Sequence, residues 1–110
     1  MSGREMRRAR TQGLRAVHRL LSEEGCDVRL LRTGRPARSL PPVDFLAQKG
    51  DRKILAIVLD GLWDEERTRR RIERCMESDE TRVYVPWRHR WQVLAALEEW
   101  GLLGVGLIPY

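Results

Sequence analysis

The run Ile54 to Leu59 is the feature that most restricts the fold of this 110-residue chain. Its consecutive apolar residues, partly β-branched, predict a strand that is covered on both faces. The segment Val43 to Ala47 predicts a shorter strand, and the polar stretch Gln48 to Arg52, with Gly50-Asp51 at its centre, predicts the turn between them. A strand covered on both faces needs helices on each side of its sheet, so we expect an α/β domain.

Hydrophobic periodicity predicts the other elements. A helix is expected from Thr11 to the stop signal at Gly25, and residues 1–10 are either a disordered basic arm or the first turns of that helix. Further strands are predicted at Cys26–Leu31, Arg82–Pro86 and Leu103–Pro109, and further helices at Asp64–Met76 and Arg90–Trp100. The inward-facing residues of these two helices are predicted to be Thr68, Ile72 and Cys75, and Val93, Leu94, Leu97 and Trp100. The resulting order αβββαβαβ predicts one three-layer domain over residues 11–110, with a central mixed sheet flanked by helices.

Charge is unevenly distributed along the chain. Residues 1–38 hold ten arginines against four acidic residues, whereas the rest of the chain is nearly balanced, and the whole carries a formal charge of +5. A basic segment favours an anionic partner such as nucleic acid. The other interpretation, a solvated surface with local ion pairs, stays open.

The sequence argues against several classes of protein. No apolar run is long enough to span a bilayer, and the Arg-rich N-terminus does not resemble a secretory signal, so we expect a cytoplasmic protein. Cys26 and Cys75 do not form a metal or disulfide pattern. His18 and His89 have no acidic or cysteine neighbour at metal-ligand spacing, so both are expected to be solvated or packed residues.

The layout of residues 11–86 resembles the core of the PD-(D/E)xK nuclease superfamily, in particular the archaeal Holliday junction resolvases. The motifs behind the resemblance are Val43-Asp44 after Pro41-Pro42, and Val58-Leu59-Asp60 at the end of the long strand. The resemblance implies a restriction-endonuclease-like fold. It also implies that Val58 and Asp60 occupy the positions of a metal-binding Glu and a catalytic Lys, and Val17 the position of a helix Glu.

Those differences matter for chemistry. The nucleases bind a hard divalent cation through carboxylates, and a valine supplies no ligand. We therefore expect no catalytic or metal-binding residues, with Asp44 and Asp60 as vestigial candidates, and no cofactor. Mg²⁺ would be needed only if these two acids, or relocated ligands such as Glu65 and Glu66, formed an active nuclease. The other interpretation is that Asp60 begins a turn and that Asp64 to Glu66 cap a helix.

Arginines are the best candidates for contacts with phosphate groups. The predicted nucleic-acid-binding residues are Arg7, Arg8, Arg10, Arg15, Arg29, Arg32, Arg35, Arg38, Arg88 and Arg90. Around the last two, the sequence Trp87-Arg88-His89-Arg90-Trp91 interleaves aromatic and cationic side chains. Its tryptophans either stack on bases or, as favoured here, pack against the domain. The arginines at 67–74 are expected mainly to form helix-surface ion pairs, with Arg69 four residues after Glu65 and Arg70 four after Glu66.

Three functions follow as expectations. The first is a non-catalytic nucleic-acid-binding protein, with DNA as the expected partner, on a degenerate nuclease fold. The second is a protein–protein module or inhibitor on the same fold, with the apolar last strand and Tyr110 as an edge for strand addition or a homodimer. The third is a metal-dependent nuclease with relocated ligands.

Overall fold

The described residues of the computed structural model form an α/β fold with a five-stranded mixed sheet and three α-helices. The structure describes residues 3–31, 43–60, 63–76 and 80–110, and the side chains of residues 3–7 lie outside that description. The helices are α1 (Gly3–Glu23), α2 (Glu65–Cys75) and α3 (Arg90–Trp100). The strands are β1 (Asp27–Leu30), β2 (Phe45–Lys49), β3 (Arg52–Val58), β4 (Glu80–Val85) and β5 (Gly106–Pro109), and a 3-10 turn (Trp87–His89) precedes α3.

The sheet has the order β1-β2-β3-β4-β5. Antiparallel pairing joins β1 to β2 and β2 to β3, and parallel pairing joins β3 to β4 and β4 to β5. Both parallel connections step in the same direction across the sheet. Right-handed crossovers therefore require α2 and α3 to lie on the same face.

Two apolar clusters confirm that arrangement. Residues 54 to 59 are all at most 3% exposed and alternate between the two faces. Leu55, Ile57 and Leu59 pack with residues of α2 and α3. Ile54, Ala56 and Val58 pack with Val17 and Leu21 of α1 on the other face. The predicted double burial of the central strand is therefore confirmed.

Element order and type agree with the sequence prediction, while several ends differ. The first helix continues back to Gly3, so the helical alternative for residues 1–10 describes the chain from that residue on. The second strand was predicted to end at Ala47 but continues to Lys49, because Lys49 pairs with Arg52 across the tight turn at Gly50-Asp51. Gly50 has the positive φ of 62° that such a turn requires.

The predicted last strand began at Leu103, but β5 begins only at Gly106. As predicted, α3 ends at Trp100: Gly101 adopts the left-handed conformation, and Leu102 N–H bonds to the carbonyl of Leu97, 2.9 Å away. The turn at residues 103–105 that follows uses the residues that the apolar pattern had assigned to the strand. None of the described helices is long and apolar enough to cross a membrane.

Candidate functional site

Three strands finish at one end of the sheet. Because β3, β4 and β5 run in the same direction, their carboxyl ends lie together, and β2, antiparallel to β3, begins there. We call this region the carboxyl end of the sheet. Asp44 precedes β2 and Asp60 follows β3, so both vestigial candidates lie in it. Crevices outside the carboxyl ends of parallel strands are the usual binding places of open α/β sheets.

The carboxylate of Asp44 is the polar centre of this end. Its side chain is 1% exposed and accepts contacts on both oxygens. Arg10 of α1 donates to Oδ1 in an ion pair. Oδ2 accepts from the Val58 amide at 2.7 Å and from Nη2 of Arg71, on α2, at 3.2 Å. A carboxylate removed from water needs such partners, and here two helices on opposite faces of the sheet supply them.

This arrangement determines what Asp44 can do. The Val58 amide ties one carboxylate oxygen of Asp44 to the backbone of β3. Arg10 was predicted as a phosphate contact, but its guanidinium is bound to Asp44 and, at 2.7 Å, to the carbonyl of Val58. We therefore assign Arg10 to the support of the site. Among the described residues, no group of three or more His, Cys, Asp or Glu side chains is placed to hold a metal ion.

Tyr110 closes the α1 side of this end. Its hydroxyl donates to the carbonyl of Leu59. Burial raises the pKa of Tyr110 to about 12; the charge of Asp60 acts in the same direction, while Arg10 and Arg88 oppose it. A Cβ added at Gly13 of α1 would lie 2.5 Å from this hydroxyl oxygen, so only glycine permits the approach. The phenol therefore stays protonated at neutral pH and acts as a hydrogen-bond donor.

The acidic residues after β3 stabilise the N-terminus of α2. The Asp64 side chain accepts from the Arg67 amide at 2.8 Å and caps α2, whose first turn contains Glu65 and Glu66. Glu66 also pairs with Arg70 at 2.7 Å. These contacts confirm the helix-capping interpretation of this segment.

The predicted arginines are distributed unevenly. Arg8 and Arg15 are exposed on α1, where they line one shallow groove with Thr11 and Gln12. Arg29 is exposed on β1, and Arg88 is exposed in the 3-10 turn. The side chain of Arg7, and the whole of Arg32, Arg35 and Arg38, lie outside the described residues.

The tryptophans beside Arg88 do not pack as predicted. Trp87 is 60% exposed and Trp91 is 66% exposed, so the favoured packing interpretation is wrong. The inner face of α3 is supplied by Val93, Ala96 and Leu97, and Trp91 lies outside that stripe. Arg90 instead covers the two rings, with its guanidinium carbon 3.8 Å from the Trp87 centroid and 5.0 Å from that of Trp91.

Helix α2 adds cations that the sequence prediction had assigned to surface ion pairs. The predicted pair of Arg70 with Glu66 is confirmed, whereas Arg69 pairs with Glu73 at 2.9 Å and not with Glu65. The guanidinium groups of Arg67 and Arg74 form no ion pair with any described residue. Both line a groove of about 320 Å³. Its other walls are formed by Asp64, Glu66, Arg70 and Arg71. The signal in the sequence was the i, i+4, i+7 spacing of Arg67, Arg71 and Arg74, which places them on one helix face.

A buried cation, Arg82, holds the C-terminal end of α1 to the sheet. Arg82 of β4 is 8% exposed and binds Glu24 through both terminal nitrogens, at 2.6 and 2.9 Å. This contact lowers the pKa of Glu24. Burial raises the pKa of Tyr84, beside it. The sequence analysis did not identify this pair, because its members are 58 residues apart and belong to different elements.

No family model, curated protein or solved structure matches the chain.

Proposed function

We propose that the chain is a non-catalytic nucleic-acid-binding protein on a degenerate PD-(D/E)xK nuclease fold, and that it binds DNA through arginine–phosphate contacts. The element order αβββαβαβ and the mixed sheet are compatible with the restriction-endonuclease-like fold that the sequence resembles. Asp44 and Val58, which correspond to the metal-binding positions of that family, are adjacent: the amide of Val58 lies 2.7 Å from Oδ2 of Asp44.

The observation that carries the proposal is the pair of guanidinium groups on Asp44. In the nuclease family a divalent cation would neutralise carboxylates at this place. Here Arg10 and Arg71 neutralise the one carboxylate that remains. Their positive charge satisfies Asp44 without a metal, so the scaffold keeps its geometry while phosphate cleavage has no ion to polarise the substrate.

Exposed arginines lie on the elements that meet at this end. Arg8 and Arg15 belong to α1, which contributes Arg10 to the Asp44 site; Arg67 and Arg74 belong to α2, which contributes Arg71. Arginine forks suit phosphate oxygens, and unpaired exposed arginines keep their donors available to a ligand. The arginines therefore offer two grooves to phosphate groups, one on α1 and one on α2 at opposite faces of the sheet, which supports backbone binding with little base readout.

The test is a titration of labelled duplex, four-way junction, single-stranded DNA and RNA, with and without Mg²⁺ and Mn²⁺, at two salt concentrations. Binding to duplex DNA should weaken by about 0.9 log units per log unit of salt for each phosphate contact. No cleavage product is expected with Mg²⁺ or Mn²⁺.

A matched set of variants locates the surface. Two double variants, Arg67→Ala with Arg74→Ala and Arg8→Ala with Arg15→Ala, should each weaken DNA binding. Each should also reduce the slope of log affinity against log salt by about one unit for every phosphate contact removed. The control is Arg52→Ala, which removes the same kind of charge from an exposed pair with Glu80 at the opposite end of the sheet. Affinity that does not depend on salt, or an equal loss in the control, contradicts the proposal.

A protein–protein module is the second candidate, favoured by the position of β5. This short strand forms the last position of the sheet order, and Leu103, shortly before it, is 60% exposed. Edge strands offer unpaired backbone groups to a partner chain or a second copy. A stable homodimer or protein complex, together with no retention on any of the four nucleic acids, would favour this function instead.

A further inference from the structure

Trp87 and Trp91 form an exposed aromatic platform that the fold does not need. They are the most exposed large apolar side chains of the described residues together with Leu103, and neither contributes to either core cluster. Arg90 lies between them, with its guanidinium carbon 3.8 and 5.0 Å from the two ring centroids. We call Trp87, Arg90 and Trp91 the stacking platform.

Backbone contacts hold the stacking platform at the carboxyl end of the sheet. The Trp87 amide donates to the Tyr110 carbonyl at 2.8 Å, and Nη1 of Arg90 donates to the Trp87 carbonyl at 2.6 Å. The Tyr110 amide in turn donates to the carbonyl of Val85, the last residue of β4, at 2.8 Å. A platform anchored in this way loses little conformational entropy when a ligand stacks on it.

The chemistry of the stacking platform suits an unpaired base better than a duplex. Exposed indole and guanidinium planes stack on the faces of nucleobases whatever the sequence. In a duplex those faces are covered by neighbouring base pairs, whereas in a single strand they are accessible. Arg88, exposed in the same turn, adds a cation that can meet the adjoining phosphate. A purely apolar peptide would leave these cations without a counter-charge.

We propose that the stacking platform binds unpaired nucleobases, so that single-stranded DNA, or the single-stranded part of a branched DNA, is a preferred ligand. This inference rests on the proposed nucleic-acid-binding function and adds the class of ligand. The arginines of α1 and α2 supply affinity for any DNA backbone, and Trp87 and Trp91 supply the preference for unpaired bases.

The test compares Trp91→Ala, Trp87→Ala and Trp91→Phe with the parent protein in titrations of a labelled single strand and of a duplex of equal length. Each alanine variant should weaken single-strand binding by about 10-fold and leave duplex binding within about 2-fold. Trp91→Phe should recover most of the loss, because phenylalanine keeps a stacking face. The control is Leu103→Ala, which removes an equally exposed apolar side chain and should change neither affinity.

Circular dichroism and thermal melting should be unchanged in the tryptophan variants, because both side chains are mainly solvent-exposed. Equal affinity of the parent for both DNAs, with no effect of either alanine variant, overturns the stacking proposal and leaves the arginine–phosphate function standing. A parent protein that binds no nucleic acid at all overturns both. A loss of duplex affinity as large as the loss of single-strand affinity assigns the tryptophans to general binding and also overturns the preference.

Discussion

At the scale of single residues, Asp44 shows how a buried carboxylate is paired inside the fold. The sequence singled it out only through a resemblance to a nuclease motif. The structure surrounds it with a backbone amide and the guanidinium groups of Arg10 and Arg71. A carboxylate so placed stabilises the contacts between α1, the sheet and α2, because removing its charge would take this counter-charge from the guanidinium groups of Arg10 and Arg71.

Replacing Asp44 should therefore reduce stability. We expect Asp44→Asn to lower the free energy of unfolding by about 3 kcal/mol, because it removes one charge from a buried ion-pair network while keeping the side-chain volume. Urea unfolding followed by circular dichroism measures the change. The matched control is Asp27→Asn on exposed β1, which should shift stability by less than about 0.5 kcal/mol. Equal effects in the two variants would show that Asp44 is not part of a coupled network.

At the scale of elements, α1 is attached to the sheet at both ends by arginine–carboxylate pairs. Its N-terminal half contributes Arg10 to Asp44, and Glu24, just after its last residue, binds Arg82 of β4. Between them, Val17 and Leu21 pack on the sheet. Apolar periodicity predicted this helix, but the polar attachments depend on which residues of other elements lie opposite.

The pair of Glu24 with Arg82 makes a prediction about pH. The hydrogen bond from Arg82 lowers the pKa of Glu24 in the folded state, below the ordinary value of 4.5. The carboxylate therefore contributes its full stabilisation above pH 4.5, and the contribution is lost as the pH falls through the lowered pKa. We expect Glu24→Gln to lower the free energy of unfolding by about 2 kcal/mol at neutral pH.

The difference in the free energy of unfolding between Glu24→Gln and the parent should become smaller as the pH is lowered below 4.5, because protonation then neutralises Glu24 in the parent as well. Chemical unfolding at a series of pH values measures it. The control is Glu99→Gln, at an exposed position of α3, whose free energy of unfolding should equal that of the parent at every pH. A difference that stays constant through acid pH would contradict the ion-pair explanation.

At the scale of the whole molecule, stability is concentrated in the middle of the sheet. β3 is covered by α1 on one face and by α2 and α3 on the other, whereas β1 and β5 occupy the two ends of the strand order and are partly exposed. Elements with few buried contacts open more readily than those that are covered on all sides.

Hydrogen exchange should reproduce that gradient. We expect the amides of β3 and β4 to exchange most slowly and those of β1 and β5 faster, because opening the central strands requires exposure of both apolar clusters. Exchange followed by NMR or mass spectrometry provides the test, and bound DNA should further slow the amides of the 3-10 turn. Slower exchange in β1 than in β3 would mean that the sheet core lies elsewhere.

The sequence by itself determined the class and order of the elements. A continuous apolar run indicates a strand covered on both faces, and 3.6-residue periodicity indicates helices with one buried side, so both can be predicted from neighbouring residues alone. The tight turn at Gly50-Asp51, the stop at Gly101 and the inward stripe of α2 follow from the same local rules. Asp44 was singled out instead by the resemblance to a nuclease motif, whose two parts lie on one hairpin.

Only the tertiary structure decided the partners of the charged side chains and the exposure of the aromatic ones. Arg10 and Arg71 are equivalent to other arginines in the sequence, but folding brings them to the same carboxylate from opposite faces of the sheet. Trp91 looks like a core residue by composition, but the rotation of α3 directs it to solvent. Such long-range placements depend on the packing of whole helices against the sheet, and a local pattern carries no information about that packing.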